Sequence, residues 1–274
     1  AVFQVQENEH KTATTIRNFF DNIKITHTDL FFSISDQAIN LDDATIHLVA
    51  YELGKLKLLD TSIDSLSTAF QVLRSESLKS EEGQYFTPIP VIRSCVELMD
   101  VDYDDKIIDP ACGSGAFLLE CFKQFKNKYP HIDEGDAKAW AQRHLYGVDK
   151  DQINVKLTKA MLIILGDGST HTYLGDSIRS HLWPKYWPNL QTALRDQSFT
   201  CIVTNPPFGK NLKITDRDGE KAGLTISKNV ETNEYSSIEL GLAFLDRCHS
   251  LLVPGGRLGI ILPETYFFSK SYLW

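Results

Sequence analysis

Phe199-Thr200-Cys201-Ile202-Val203-Thr204-Asn205-Pro206-Pro207-Phe208, followed at once by Gly209, decides how the rest of the chain is read. The first six residues are apolar or β-branched and read as a buried strand. The next four cannot prolong it. Each proline removes an N–H donor and fixes φ, so the turn is stiff and cannot extend a sheet ladder. Its carbonyl oxygens are left pointing beyond the strand end, where open α/β sheets bind ligands. A rigid amide acceptor, a neighbouring backbone carbonyl and a flat ring then converge on one spot, which suits a planar substrate with an exocyclic amino group. Taken alone, the stretch is also compatible with a strand that ends in a proline turn with an aromatic staple. Its surroundings decide.

Upstream, strands alternate with helices. Lys106-Ile107-Ile108 is a short apolar strand that runs into Asp109-Pro110-Ala111-Cys112-Gly113-Ser114-Gly115. A helix follows from Ala116 through Phe117, Leu118, Cys121, Phe122 and Phe125, and another over Ala137 to Arg143. A second strand, Leu145 to Val148, ends in Asp149. A mostly apolar helix spans roughly Ile153 to Leu165, and a third strand, Thr172 to Leu174, ends in Gly175-Asp176. A linker with Trp and Pro leads to the strand at Phe199. Downstream, Lys210 to Tyr235 is polar and too long for a bare connector. Ser236 to Glu239 has the form of a capping box opening a helix with Leu240, Phe244 and Leu251. Pro254-Gly255-Gly256 then turns into a fifth strand, Leu258 to Leu262. This alternation predicts an α/β fold with a doubly wound, mostly parallel sheet.

The turn after the first strand is where such folds place a nucleotide-like ligand. Its glycines permit close backbone approach, but Leu118 stands where a dinucleotide fingerprint has its third glycine. The turn also opens with an acid, which favours a ligand with a positive group, such as a charged amino acid end, over a pyrophosphate. Asp149 sits where an acid accepts from ribose hydroxyls, and Asp176 where one can accept from an adenine amino group. Each alone would also serve as a helix N-cap. Together, three acids close three successive strands.

The first eighty-odd residues read as helical. Asp42-Asp43 give an acidic first turn to a helix with Ile46, Val49, Leu53, Leu56 and Leu59 on one face. A second helix follows Ile63-Asp64 and carries Leu66, Phe70 and Leu73. The polar run Arg74 to Gly83 is a connector. Next come Gly83-Gln84-Tyr85-Phe86-Thr87-Pro88 and a helix through Val91, Ile92, Cys95, Val96 and Leu98, with Pro90 in its first turn. The expected division is a helical N-terminal domain, 1–82, and a catalytic domain, 83–274.

Composition narrows the classes. The chain has 274 residues, 42% hydrophobic and 23% charged, enough for a sizeable core. No apolar run is long enough to span a bilayer. The five cysteines are scattered without a Cys-x-x-Cys pair, which fits a reducing compartment and offers no zinc spacing. The formal net charge of −8 speaks against a chain that grips nucleic acid unaided.

Four elements in this order resemble the N6-adenine DNA methyltransferases that use S-adenosylmethionine: Gly83 to Pro88, Asp109 to Gly115, Gly147-Val148-Asp149 and Asn205 to Phe208. The chain looks most like the modification subunit of type I restriction–modification systems. Leu252 to Arg257 with the following strand and Pro263 also matches, and the helical region before Gln84 does so more weakly. The resemblance implies the Rossmann-like methyltransferase fold, a cytoplasmic setting, and S-adenosylmethionine as cofactor, with no metal. Tyr85, Phe86 and Thr87 would meet its methionine end. Asp109, Ala111, Cys112 and Gly113 would line it, with Gly115 allowing close helix packing. Asp149 would hold the ribose, and Asp176 with Ser177 the adenine. Asn205 and the Pro206 carbonyl would accept from the target N6 amino group, within the turn that Pro207 stiffens, and Phe208 would stack on the base. Implied partners are double-stranded DNA with a flipped adenine, a DNA-specificity subunit and a restriction subunit.

Rival readings are a methyltransferase acting on a protein glutamine or an RNA amino group, a non-catalytic scaffold that binds cofactor, and a nicotinamide dehydrogenase. The missing third glycine disfavours the last. The chain begins without Met and stops at Trp274, just past the fifth strand, where the family's sheet continues. It is therefore expected to be a fragment lacking the C-terminal strands, binding S-adenosylmethionine weakly and leaving its fifth strand uncovered.

Overall fold

The apolar stretches read as strands pair into one parallel sheet. The structure, a computed structural model, describes residues 5–28, 30–31, 37–55, 87–164, 171–209 and 211–268. Chain contacts divide it into two units, Ala1–Ala69 and Phe70–Trp274.

In the first unit, α1 (Glu9–Thr26) packs on α2 (Asp43–Gly54). The Asn8 and Asp42 side chains accept from the Lys11 and Thr45 amides, satisfying donors that a first turn leaves open. The buried residues are Thr12 and Ala13 on one helix and Ile46 and Ala50 on the other. Small residues at 13 and 50 let the backbones approach along that line. Val49 and Leu53 of the expected stripe therefore stay 47% and 46% exposed. Leu56, Leu59, the helix read at Leu66 to Leu73 and the expected boundary at 82/83 lie outside the described residues.

The second unit opens with α3 (Ile89–Met99), whose Pro90 stands in the first turn, where its missing N–H costs nothing. Then follow β1 (Ile107–Asp109), α4 (Ala116–Lys128), α5 (Glu134–His144), β2 (Leu145–Asp149), α6 (Gln152–Ile164), β3 (Thr172–Leu174), the short helices α7 (Trp183–Tyr186) and α8 (Pro188–Ala193), and β4 (Phe199–Thr204). The polar stretch after β4 holds β5 (Lys213–Ile214), α9 (Asp216–Ala222) and β6 (Ile238–Glu239). It is followed by α10 (Leu240–Leu251), β7 (Leu252–Ile260) and α11 (Thr265–Phe268).

The sheet order is β3-β2-β1-β4-β7, with every neighbouring pair parallel. Helices α3, α4 and α6 cover one face. A Cβ on Gly147 would lie 3.0 Å from Leu118, and one on Gly259 would lie 2.6 Å from the Cys95 sulfur. On the other face Trp183, Leu190, Leu194, Cys248 and Leu251 pack on Ile108, Val148, Phe199 and Ile202. Burial on both faces is why these strands read as apolar runs rather than as alternating ones. The chain winds outward from β1 to β3, then returns to place β4 on the other side of β1. That reversal opens a crevice at the carboxyl ends of β1 and β4.

Two local expectations give way to tertiary hydrogen bonding. Ser236 to Glu239 does not form a capping box. Ile238 and Glu239 pair antiparallel with Ile214 and Lys213, and the Ser236 amide donates to the Ser227 carbonyl at 2.8 Å. That backbone is committed to a strand, so the helix starts at Leu240 with no side-chain cap. The last strand also starts earlier than read, at Leu252, and ends at Ile260. Leu252 pairs with Phe199 but Arg257 with Cys201, so Val253 to Gly256 bulge out opposite Thr200. Gly255 takes φ +82°, and a Cβ at Gly256 would come within 3.0 Å of the Val253 carbonyl oxygen and 3.1 Å of that of Thr200. Beyond the bulge the Arg257 guanidinium bonds the Met99 carbonyl and the Asp105 carboxylate.

Gly115 joins the turn after β1 to α4. Its φ is +80°, and an added Cβ would lie 2.9 Å from Thr158 Cγ2 on α6. Gly115→Ala should therefore cost about 1–2 kcal/mol from left-handed backbone strain alone. Thr158→Ala should relieve only the contact part. Urea denaturation of the two single variants and the double variant measures both, and an unshifted midpoint in Gly115→Ala would contradict the close approach of α4 and α6.

Candidate active site

Strand alternation decides which residues of the first turn meet the crevice. In β1, Ile108 faces the α7–α8 and α10 side, so Ile107 and Asp109 face α4. Asp109 is 1% exposed and lies behind the cavity wall. Its Oδ1 accepts from the Ala111 amide at 3.0 Å, which tightens the turn. Burial pushes its pKa up to about 7, and the Asp149 carboxylate adds to the rise. The Thr204 hydroxyl beside it opposes the shift but falls outside hydrogen-bond geometry, so the relief is partial. Cys112 is also buried behind the wall, and burial holds its thiol far above its ordinary pKa. It is a packing residue there. Pro110, Ala111 and Gly113 do line the cavity, and Gly113, at φ +53°, has open space where a Cβ would stand.

Asp149 closes β2 at the cavity edge. Its carboxylate accepts from the Gly113 amide at 2.9 Å, the Asp151 amide at 2.8 Å and Asn154 Nδ2 at 3.1 Å. These use three of about four acceptor positions. Burial still raises its pKa, with the three bonds opposing the rise. Asp176, after β3, also lines the cavity and likewise accepts three hydrogen bonds. It accepts from the Ile178 and Arg179 amides, and Arg179 Nη1 meets its other oxygen at 2.7 Å. Ser177 lines the cavity too, and its hydroxyl donates to the Pro110 carbonyl at 2.7 Å, tying the first and third turns together.

The Asn205 turn forms the opposite wall. Asn205 Nδ2 donates to Thr87 Oγ1 at 2.7 Å, while its Oδ1 is buried with no partner among the described residues. A buried unpaired acceptor of this kind costs about 1–3 kcal/mol and calls for an explanation. Pro206, Pro207 and Phe208 continue the wall. Thr87 thus reaches the Asn205 amide rather than the cavity lining, and Tyr85 and Phe86 lie outside the described residues.

The cavity between these turns has a volume of about 130 Å³. Ile178, Leu240 and Phe244 give it an apolar side, and Asp149 and Asn154 a polar one. Flat apolar walls beside an acid with a spare lone pair, next to an open glycine, fit a nucleoside-bearing cofactor. Sequence reading missed Asn154, Ile178, Arg179, Leu240 and Phe244. The i, i+4 spacing of Leu240 and Phe244 marked a helix stripe, but only the fold shows that this stripe meets a cavity. Among the described residues, no group of three or more His, Cys, Asp or Glu side chains is placed to hold a metal ion, and no helix is long and apolar enough to cross a membrane.

Residues 62–272 match the family described as N-6 DNA Methylase. The Type I restriction enzyme MjaVII methylase subunit of Methanocaldococcus jannaschii is 34% identical over 149 residues, 53% of this chain and 22% of that protein. The Type I restriction enzyme EcoEI methylase subunit of Escherichia coli is 30% identical over 201 residues, 73% of this chain and 36% of that protein. The chain thus spans about a third or less of the length of these two curated relatives. Among solved structures, the ATP-dependent Type ISP restriction-modification enzyme LlaBIII bound to DNA superposes with a TM-score of 0.67 at 15% identity, covering 98% of this chain and 20% of that one. A crystal structure of the modification subunit of a type I restriction enzyme assigned in Vibrio vulnificus gives 0.59 at 21% identity, covering 83% of this chain and 45% of that one. At these identities the structural likeness concerns the fold.

Proposed function

Because the chain belongs to the N-6 DNA Methylase family, we propose that it transfers a methyl group from S-adenosylmethionine to the N6 amino group of an adenine turned out of a DNA duplex. The single observation that carries this reading is the Asn205 amide, whose NH₂ end is held and whose buried carbonyl oxygen is left without a partner at the cavity wall.

That oxygen is suited to accept one N–H of an amino group, and the Pro206 carbonyl the other. The amino nitrogen of adenine is a poor nucleophile because its lone pair is delocalised into the ring. Two acceptors on its hydrogens favour a pyramidal nitrogen and stabilise the positive charge that develops on attack, with no reorganisation needed at that moment. S-adenosylmethionine supplies an electrophilic methyl group on a sulfonium. Phe208 stacks on the extruded base, offsetting unstacking by about 1–3 kcal/mol. On the cofactor side, the remaining Asp149 lone pair takes a ribose hydroxyl, while Ile178, Leu240 and Phe244 flank the adenine. Asp176 holds Arg179 and the turn and keeps one acceptor position for the adenine amino group, and Ser177 beside it ties that turn to Pro110. Asp109 and Cys112 shape the first turn from behind. Tyr85 and Phe86 are assigned to the methionine end. We also assign residues 1–82 to a helical N-terminal domain and 83–274 to the catalytic one.

The net charge of −8 gives the chain little electrostatic hold on DNA. We therefore assign it to a restriction–modification assembly in which a DNA-specificity subunit supplies the basic contacts, with a restriction subunit as a further partner. The test is incubation with methyl-labelled S-adenosylmethionine and genomic DNA, protein or RNA, with and without the neighbouring subunits. Label recovered as N6-methyladenine in DNA supports the reading, whereas label on glutamine or RNA alone sinks it.

A second measurement probes the cofactor side. A hydrogen bond to a charged group contributes about 1.5–3 kcal/mol. Asp149→Ala should therefore weaken S-adenosylmethionine binding roughly tenfold to a hundredfold. Calorimetry on folded variant showing unchanged affinity would remove Asp149 from the ribose site.

A further inference from the structure

We infer that Thr87 is a positioning residue for methyl transfer, anchoring the Asn205 amide in the place and plane in which its carbonyl oxygen meets the target amino group. The inference rests on the function proposed above but assigns Thr87 a different task from the cofactor contact that the resemblance implies.

An amide is nearly symmetric in shape, so a wall lined by one can offer either an acceptor or a donor. Which end it offers depends on what holds the other end. Here Asn205 Nδ2 lies 2.7 Å from Thr87 Oγ1, and Oδ1 has no partner among the described residues. Thr87 stands just ahead of α3 and Asn205 just after β4, so a bond between residues 118 apart in sequence joins two elements of the second unit. Thr87 itself does not line the cavity, whereas Asn205 does. The hydroxyl could also donate and hold the reversed amide. That arrangement would turn an N–H toward a target that offers only N–H groups there. An incoming amino group therefore selects the sense observed here, and Thr87 removes the rotational freedom that would otherwise be lost at each turnover.

Thr87→Val removes the hydroxyl at nearly constant shape, and Thr87→Ser keeps it. Two readouts are taken, the first on the chain and the second with the neighbouring subunits under conditions in which the wild type methylates DNA. The first is hydrogen exchange of the Asn205 side-chain amide by ¹⁵N–¹H correlation, the signal being assigned by its loss in Asn205→Ala. The Nδ2 protons should exchange at least about tenfold faster in Thr87→Val than in the wild type, with Thr87→Ser close to the wild type. The second is single-turnover methylation alongside S-adenosylmethionine affinity. The rate should fall about tenfold in Thr87→Val at unchanged cofactor Kd, and Thr87→Ser should restore it. Unchanged amide exchange in Thr87→Val overturns the inference. So does a loss of cofactor affinity that accounts for the lower rate, which would return Thr87 to the cofactor site, and so does a Thr87→Ser variant as slow as Thr87→Val. If wild-type chain that binds S-adenosylmethionine puts label on glutamine instead of adenine, the proposed substrate fails. The exchange result still decides whether Thr87 holds the amide.

Discussion

Asn205→Ala should abolish measurable methyl transfer while leaving S-adenosylmethionine affinity nearly intact. On the proposed reading the side chain supplies one of two acceptors aimed at the charge that develops on the target nitrogen. Removal of a single preorganised group of this type costs about 10²–10³ in kcat. The loss should sit in kcat, because on the proposed reading the cofactor adenine is flanked by other residues of the cavity, Ile178, Leu240 and Phe244. The variant should also fold well. Asn205 Oδ1 is unpaired in the structure, so its removal relieves an unsatisfied acceptor, and the lost bond to Thr87 is one between neutral groups. Single-turnover assays under conditions in which the wild type methylates DNA, paired with calorimetry of cofactor binding, separate the two effects. Normal turnover in this variant would remove Asn205 from the chemistry. A parallel loss of cofactor affinity would mean that the turn serves the cofactor instead.

The parts of this architecture that were legible in the sequence are those whose cause is local. The strand at Phe199 to Thr204 is apolar or β-branched throughout because helices cover both faces of the sheet, and its end is set by two prolines. The acids at positions 109, 149 and 176 follow strand ends that alternation and glycine turns mark out. Their tasks were less legible, because a task depends on what approaches from elsewhere. Asp176 is expected to accept from an adenine amino group, and it lines the cavity, but the sequence does not show that Arg179, three residues on, bonds one of its oxygens and two backbone amides the other, which leaves one acceptor position of about four. Arg179 Nε in turn bonds Asp218 on α9 at 2.9 Å, and buried Arg247 on α10 donates to the Ile178 and Ala222 carbonyls. The segment after β4 is thus fastened to the third turn by two arginines that looked, in sequence, like ordinary helix and loop charges. Ser236 to Glu239 failed as a capping box for the same reason. The motif competes with a strand partner, Lys213–Ile214, more than twenty residues upstream, and the local pattern carries no record of it.

Asp109→Asn should make the chain more stable at pH 8 and nearly unchanged only below about pH 4. Asp109 is fully enclosed, and its carboxyl titrates near pH 7 instead of near 3.8, chiefly because burial disfavours the charged form. An acid whose folded pKa lies above its unfolded value binds more protons folded than unfolded between the two. Its contribution to stability is therefore intact at low pH, falls as pH rises from about 4 to about 7, and is fully lost above that. A shift of about three units corresponds to on the order of 2–4 kcal/mol after allowance for relaxation around the ion. Asparagine keeps an oxygen for the Ala111 amide and cannot ionise, so it escapes this penalty. The difference between variant and wild type should be near zero below about pH 4, reach roughly a third of its full size at pH 5, grow through pH 6 and 7, and level off at pH 8. Tryptophan fluorescence during urea denaturation is a suitable readout. All four tryptophans, Trp140, Trp183, Trp187 and Trp274, fall within Phe70–Trp274, so the signal reports the unit that contains Asp109. A pH-independent difference, or a variant less stable than the wild type at pH 8, would mean that Asp109 is ionised and stabilised in the folded chain.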